Sequence, residues 1–457
     1  MTGKNIHFIG IGGISMSGIA EILIKKGYKI SGSDMKDSHL LDKLRSLGAD
    51  IYIGHKKENA YAADSIVISS AIPLSNPELE YAYNNNIPVF KRAEMIAEFM
   101  KEQKGIAIAG THGKTTTTSM TASIMYDNLD PTILIGGELD LIDGNVYLGN
   151  GEYLITEADE SDGSFLYYNP EIIVVTNVEM DHHDYYQSEE QLNKTFKDFI
   201  DKVPEDGKAI LCIEDEKLMN LVYNNDKRII TYGIENGDIQ AKDLELYPFG
   251  SIYKLYLNNK ELVEINLKTP GRHNVLNSLA AISVAIHSGM DIGEIKKGIE
   301  KYSGVHRRFE KKGLLGDILI IDDYAHHPTE VEATLRAASN TGYERTIVIF
   351  QPHRYSRTKH LINSYNDSFK NVDHLIITDI YSAGEKEIPG VSAKELAKNI
   401  AKNNNFQVDY IANFKDVVKY LRKIARHKDL IITMGAGDVY RIGESFINIM
   451  RKNKEMA

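Results

Sequence analysis

The chain has 457 residues, too many for one ordinary core, and predicts two to three domains of about 100–200 residues each. A formal charge of −11 with no long basic run argues against a duplex nucleic acid partner, while leaving room for a local basic pocket for phosphates. The one cysteine, Cys212, cannot close an internal disulfide and suits a reducing cytoplasm, and no apolar stretch reaches about 18 residues, so neither a signal peptide nor membrane insertion is expected.

In chain order, Ile6-His7-Phe8-Ile9 predicts a strand, and Gly10-Ile11-Gly12-Gly13-Ile14-Ser15-Met16-Ser17-Gly18 leads into an amphipathic helix through Ile19, Ile22 and Leu23. After a second strand, Tyr28 to Ser31, Asp34 stands in Gly32-Ser33-Asp34, so the segment reads as a nucleotide-binding βαβ unit. Ser15 occupies the place of the third glycine in G-x-G-x-x-G, which disfavours NAD binding by a dehydrogenase. His55, in Ile53-Gly54-His55, and Ser69-Ser70-Ala71-Ile72-Pro73 fall in loops after later strands; alone, His55 reads as a surface histidine. The run from Pro88 to Met95 predicts a last strand leading into a connecting helix near residue 97.

A short apolar run then turns on two glycines, Ala107-Ile108-Ala109-Gly110-Thr111-His112-Gly113, and continues as Lys114-Thr115-Thr116-Thr117-Thr118 with helical spacing. Backbone N–H groups of such a strand-loop-helix cradle phosphate, Lys114 adds positive charge, and Thr115 offers a hydroxyl to Mg2+. The match to G-x-x-x-x-G-K-[ST] is incomplete, since position 108 is Ile. Downstream, Tyr153-Leu154-Ile155-Thr156 delivers Glu157-Ala158-Asp159-Glu160-Ser161-Asp162, and Ile172-Ile173-Val174-Val175-Thr176 delivers a cluster holding Glu179, Asp181, His182 and His183. Strand ends converge on the ligand side of a parallel sheet, where carboxylates, a threonine and an imidazole can hold Mg2+. Zinc is disfavoured, because no C-x-x-C or H-E-x-x-H accompanies the histidines. Residues 205 to 265 predict strands with turns at Gly207, Asn236-Gly237 and Asn258-Asn259, before Pro270-Gly271-Arg272-His273-Asn274-Val275-Leu276-Asn277 opens a helix with Asn274 and Asn277 on one face.

The segment Tyr302-Ser303-Gly304-Val305-His306-Arg307-Arg308 predicts a hinge. Beyond it, strand Ile318 to Ile321 ends in Asp322-Asp323-Tyr324-Ala325-His326-His327, and strand Thr346 to Phe350 delivers Gln351-Pro352-His353-Arg354-Tyr355-Ser356-Arg357. Arginines three apart could grip a carboxylate or phosphate. Later strand-then-polar-turn units at Thr378 and Leu430 imply another parallel sheet.

The string Gly110-Thr111-His112-Gly113-Lys114-Thr115 resembles the short phosphate loop of the Mur ligases, the ATP-dependent enzymes that add amino acids to the muramic acid precursor of the bacterial cell wall. The first-domain glycine string with Gly32-Ser33-Asp34 is similar to the UDP-sugar domain of the alanine-adding members, and the signatures follow in family order from about residue 5 to 440. The resemblance implies an α/β chain of three domains: a Rossmann-like UDP-sugar domain at 1–97, a P-loop ATPase-like domain at 98–306, and a Rossmann-like amino-acid-binding domain at 307–457.

It further implies that Gly12, Gly13, Ser15, Met16, Asp34, His55, Ser69 and Ser70 contact UDP-N-acetylmuramate. ATP would lie against Gly110 to Thr116, with Asn274 and Asn277 at the adenine nucleotide, Arg308 at phosphate and Asp323 at ribose. Thr115, Glu157 and His182 would bind Mg2+; Arg354 and Arg357 would hold L-alanine; His326 would face the reacting groups as a proton acceptor or positioning group. Lys114 and Arg308 would stabilise charge as the γ-phosphoryl moves to a carboxylate. Several relatives carry a carbamylated lysine; Lys194 and Lys197 lack its Ala-Ala-Lys context and read as solvated. A monomer or weak homodimer is expected. The alternatives are a murein tripeptide recycling ligase, disfavoured by Ser161 where that cousin has Tyr, a UDP-sugar or dinucleotide sensor without turnover, and a small-molecule kinase.

Overall fold

The computed structural model describes residues 5–222 and 226–455 and arranges them on three sheets. In the first, β1 (Asn5–Ile9), β2 (Lys29–Asp34), β3 (Asp50–Ile53), β4 (Ser65–Ile68) and β5 (Val89–Lys91) are all parallel in the order β3-β2-β1-β4-β5. Buried on both faces, β1 loses alternation: Ile6, His7, Phe8 and Ile9 are all interior. Strand order reverses at β1, so the carboxyl ends of β1 and β4 open a crevice where the Gly10 turn and Ser69-Ser70 meet.

The helix Ile14–Lys25 departs from the amphipathic expectation, because every residue from Met16 to Leu23 is buried. Its second face lies against the middle domain: Asn145 Nδ2 donates to the Ile14 carbonyl (2.7 Å), and a Cβ on Gly18 would come within 3.4 Å of Leu134 and Val146. Glu21 tolerates this burial by pairing with Lys25 and Lys43 at 2.8 and 3.0 Å.

The middle sheet holds β6 (Lys104–Ala109), β7 (Thr132–Leu139), β8 (Gly144–Tyr147), β9 (Tyr153–Glu157), β10 (Ile172–Val175), β11 (Lys208–Cys212), β12 (Ile229–Gly233), β13 (Ile239–Tyr247), β14 (Gly250–Leu257) and β15 (Lys260–Leu267). Their order is β15-β14-β13-β12-β11-β10-β6-β9-β7-β8, parallel from β13 to β7 and antiparallel at both ends. Asn258 and Asn259 take φ of 49° and 64°, as a tight hairpin turn between β14 and β15 requires. Following β6, the helix Lys114–Leu129 buries Thr117, Thr118, Ser119 and Thr121 fully. Apart from Thr117, whose hydroxyl donates to Asn277 Oδ1 (3.2 Å), these hydroxyls donate to the carbonyl four residues back, so a threonine-rich helix reaches the core without unpaired oxygens.

The third sheet comprises β16 (Glu310–Leu315), β17 (Ile318–Asp323), β18 (Arg345–Phe350), β19 (His374–Ile377), β20 (Gln407–Tyr410) and β21 (Asp429–Met434), in the order β16-β17-β21-β18-β19-β20. Only the edge strand β16 is antiparallel in this sheet. The helix Pro328–Ser339 begins with proline and a capping box to Glu330. Among the described residues no helix is long and apolar enough to cross a membrane.

Candidate active site

The phosphate loop runs from the end of β6 to the helix Lys114–Leu129, clasped from two sides. Gly110 (φ 126°) and Gly113 (φ 84°) admit no side chain, since a Cβ would fall 2.1 Å from Thr176 Oγ1 and 2.6 Å from Asn277 Oδ1. Lys114 Nζ donates to the Gly110 and Thr111 carbonyls (2.6 and 3.2 Å) and to both oxygens of buried Glu160 (2.9 and 2.8 Å). Thr115 Oγ1 donates to Glu157 Oε2 (3.1 Å), and the Gly136 N–H to Glu157 Oε1 (2.6 Å).

Burial pushes the Glu157 carboxyl up despite its contacts with Gly136, Lys114 and Thr115, so a cation beside it would relieve a real cost. His182 arrives in a left-handed backbone (φ 52°) with Nε2 3.6 Å from Glu160 and 3.8 Å from Asp181. Burial lowers its pKa, but these acids outweigh burial and raise it overall. Thr115, Glu157 and His182 all face the same cavity, although the contacts of His182 are with Glu160 and Asp181 and not with Glu157.

Three domains meet over this loop. One cavity of about 620 Å3 is lined by Ser15 and Arg92 from the first domain, Lys114, Thr115, Glu157 and His182 from the middle, and Arg308, His326, Arg354 and Arg357 from the last. A second, of about 510 Å3, is lined by Gly113, Thr116, Asn274, Asn277, Arg308 and Asp323. Arg308 stacks its guanidinium 4.9 Å from the Tyr324 ring centroid and reaches both spaces, whereas Arg307 is held by Asp322 and the Gly435 carbonyl. His326 Nδ1 lies 3.1 Å from the Tyr324 carbonyl, which can only accept, although Nδ1 also lies 3.2 Å from Glu330; the proton sits on Nδ1 and leaves a lone pair on Nε2. Burial holds the ring neutral, with its pKa down at about 4.

Several predicted contacts have other occupations. Both nitrogens of His112 are taken by Glu179 (2.8 Å) and Glu330 (3.1 Å), and its backbone N–H by Asn177 (2.9 Å), so His112 presents no donor to phosphate here. Arg357 is committed to Asp181 through two bonds (3.2 and 3.0 Å), whereas Arg354 holds only a longer, half-exposed pair with Asp184 (3.5 Å). Asp323 spends its oxygens on the backbone N–H groups of Phe309 and Ala325, both at 2.7 Å. Met16 is a core residue. Asp34 accepts from the Gly12 N–H (2.9 Å) and so shapes the glycine turn, while His55 bonds Ser33 Oγ (2.9 Å). Asn274 and Asn277 brace one another at 3.3 Å, as one helix face requires. Ser69 and Ser70 line a third cavity, between β4 and the loop at Asp162 to Tyr167. Lys194 is exposed, and Lys197 pairs with Asp201.

Sequence reading missed Arg92, which spans from Ser15 Oγ (3.3 Å) to Asp159 (3.2 Å), and it left Glu160 without its role as partner of Lys114. The sign for Arg92 was present, a basic pair opening the connecting helix. Glu330 was legible as a capping residue three after His327, but not as a partner of the phosphate loop.

A phosphate loop whose cavity is completed by residues of two flanking α/β domains defines a three-domain nucleotide-binding protein. Family models agree over almost the whole chain: the Mur ligase family catalytic domain matches residues 5–104, the Mur ligase middle domain 108–285, and the Mur ligase glutamate ligase domain 307–437. The chain belongs to the Mur ligase family. It is 47% identical over 450 residues to UDP-N-acetylmuramate–L-alanine ligase of Geotalea uraniireducens, covering 98% of each chain. Its fold matches the crystal structure of UDP-N-acetylmuramate-alanine ligase from Thermotoga maritima at a TM-score of 0.84 and 28% identity, covering 98% and 99% of the two chains. A murein peptide ligase from Psychrobacter arcticus follows at 0.73 and 25%, with the same coverage.

Proposed function

We propose that this protein joins L-alanine to the carboxylate of UDP-N-acetylmuramate with hydrolysis of ATP to ADP and phosphate, in the cytoplasm, for peptidoglycan synthesis. The supporting observation is the convergence of Ser15, Lys114, Glu157, Arg308, His326 and Arg354 on one cavity, drawn from three domains. The near-full-length relative named for this reaction supports the choice of substrates.

In this reading the UDP-sugar diphosphate rests on the Gly12-Gly13 turn, at the start of the helix Ile14–Lys25, with the sugar toward Ser15 and Arg92. ATP lies across the second cavity with its phosphates on the loop from Gly110 to Thr116. Thr115, Glu157 and His182 would hold Mg2+, which supplies charge neutralisation on the phosphates. Lys114 exchanges Glu160 for phosphate oxygen, and Arg308 adds a second positive charge as the γ-phosphoryl passes to the muramate carboxylate. The products of that step are ADP and an acyl phosphate. Arg354 grips the alanine carboxylate; its Nε is buried without a partner among the described residues. The alanine nitrogen attacks the acyl carbon, the C–O bond to phosphate breaks, and the amine proton passes to His326 Nε2, which neutrality keeps free.

Phosphate release with UDP-N-acetylmuramate and ATP, with and without L-alanine, tests this. Release that depends on alanine and matches product one to one is expected, with glycine and serine slower. Alanine-independent release, or a phosphorylated sugar that accumulates, overturns it.

A further inference from the structure

His112 stands in the phosphate loop, at the wall of both cavities, with both ring nitrogens engaged by carboxylates. Its Nε2 lies 2.8 Å from Glu179 Oε2, at the carboxyl end of β10, and its Nδ1 lies 3.1 Å from Glu330 Oε1, in the last domain. Ionised carboxylates only accept, so both nitrogens must donate and the ring must be an imidazolium. Its pKa, lowered by burial but raised more by the two acids, rises to about 9. The other groups about it include His327, with ring centroids 4.8 Å apart and Nδ1 3.9 Å from Glu179, neutral His326 beside Glu330, Arg308 acting on Glu330, and Lys217 acting on Glu179.

Glu330 makes this bridge more than a domain contact. While Oε1 meets His112, Oε2 accepts from the backbone N–H groups of His326 (3.0 Å) and His327 (3.2 Å). One carboxylate thus ties the phosphate loop to the segment that carries the proton acceptor. Thr329 Oγ1 adds a parallel bond to Glu179 Oε1 at 2.8 Å.

We propose that His112 is a positioning residue: its cation, shared by Glu179 and Glu330, couples docking of the last domain to the placement of His326 over the phosphate loop. The inference rests on the ligase reading for His326, but its closure arm does not.

The test uses the full chain with His112→Gln, which removes the charge, and with Glu179→Gln, which leaves the loop sequence intact. The bridge predicts a fall in kcat of about 10- to 100-fold in each, with KM for ATP within about threefold, because misplacement rather than lost binding is responsible. The double variant should be little worse than either single one. Wild-type kcat should decline as pH rises through about 9, where the imidazolium is lost, and His112→Gln should lack that limb. Small-angle scattering with a non-hydrolysable ATP analogue should show a compact wild type and a more open His112→Gln. A raised KM for ATP with kcat preserved would make His112 a phosphate ligand and overturn the proposal, as would additive losses in the double variant or a closed His112→Gln. If the wild type shows no alanine-dependent turnover but the scattering difference appears, the ligase reading fails and the bridge stands.

Discussion

Arg354 and Arg357 stand three apart beside one short helix, yet their surroundings divide them. Arg357 and Asp181, each less than a tenth exposed, form a bidentate pair between domains, and Arg357, ahead of His182, outweighs the burial of Asp181 to hold its carboxyl well below the usual range. Truncating Arg357 strands a buried carboxylate in the closed form; with ATP analogue and UDP-sugar present, Arg357→Ala is expected to cost about 3–5 kcal/mol in urea unfolding. Arg354→Ala should leave the unfolding midpoint near wild type and raise KM for alanine instead. A second residue-scale prediction concerns Glu78, fully buried and bonded by Ser33, Asn59 and the Lys56 N–H. Burial raises its pKa, but His7, Ser33 and Asn59 prevail and bring it to about 2. Because the folded value lies below the unfolded one, its stabilisation is present above about pH 4.3 and drains away as pH falls toward 2. Unfolding free energy measured between pH 5 and 2 should fall less steeply in Glu78→Gln than in wild type. Lys114, Thr115 and Glu157 were legible because loop order and strand ends are local signals. The partners of His112, Arg357 and Glu78 were not, since they lie 218, 176 and 45 positions away.

At the scale of elements, strands were readable because buried parallel strands are unbroken apolar runs, as in Ile172-Ile173-Val174-Val175. The helix Ile14–Lys25 was misjudged as one-sided because its second partner, β7 with β8, comes from another domain. Packing also decides the fate of the helix Ile292–Lys301, which presses on the helix behind the phosphate loop. A Cβ on Gly298 would sit 2.5 Å from Ile124 Cα and 3.1 Å from its carbonyl, where no side chain can yield. Gly298→Ala is therefore expected to destabilise by about 1–3 kcal/mol, read as a lower urea midpoint at unchanged m-value.

For the whole molecule, the last domain touches the middle one through polar contacts, Arg357 to Asp181, His112 to Glu330 and Thr329 to Glu179, and through an apolar contact at Phe249. The linking segment carries Gly304 at φ 113°, with open space around it, then Arg307 and Phe309 at 63° and 49°. Polar interfaces on a left-handed linker open readily, so scattering from the free protein should give a larger radius of gyration than this structure, and ATP analogue with UDP-sugar should restore it. Identical profiles in both states would count against a moving last domain. One further property follows from Glu160. Before any nucleotide arrives, the loop lysine already has an internal counter-ion, so an incoming phosphate trades places with a carboxylate instead of shedding dissolved anions from a bare charge. Nucleotide affinity should accordingly vary little between dilute buffer and concentrated potassium chloride, and replacing Glu160 with glutamine should restore a steep dependence on ionic strength.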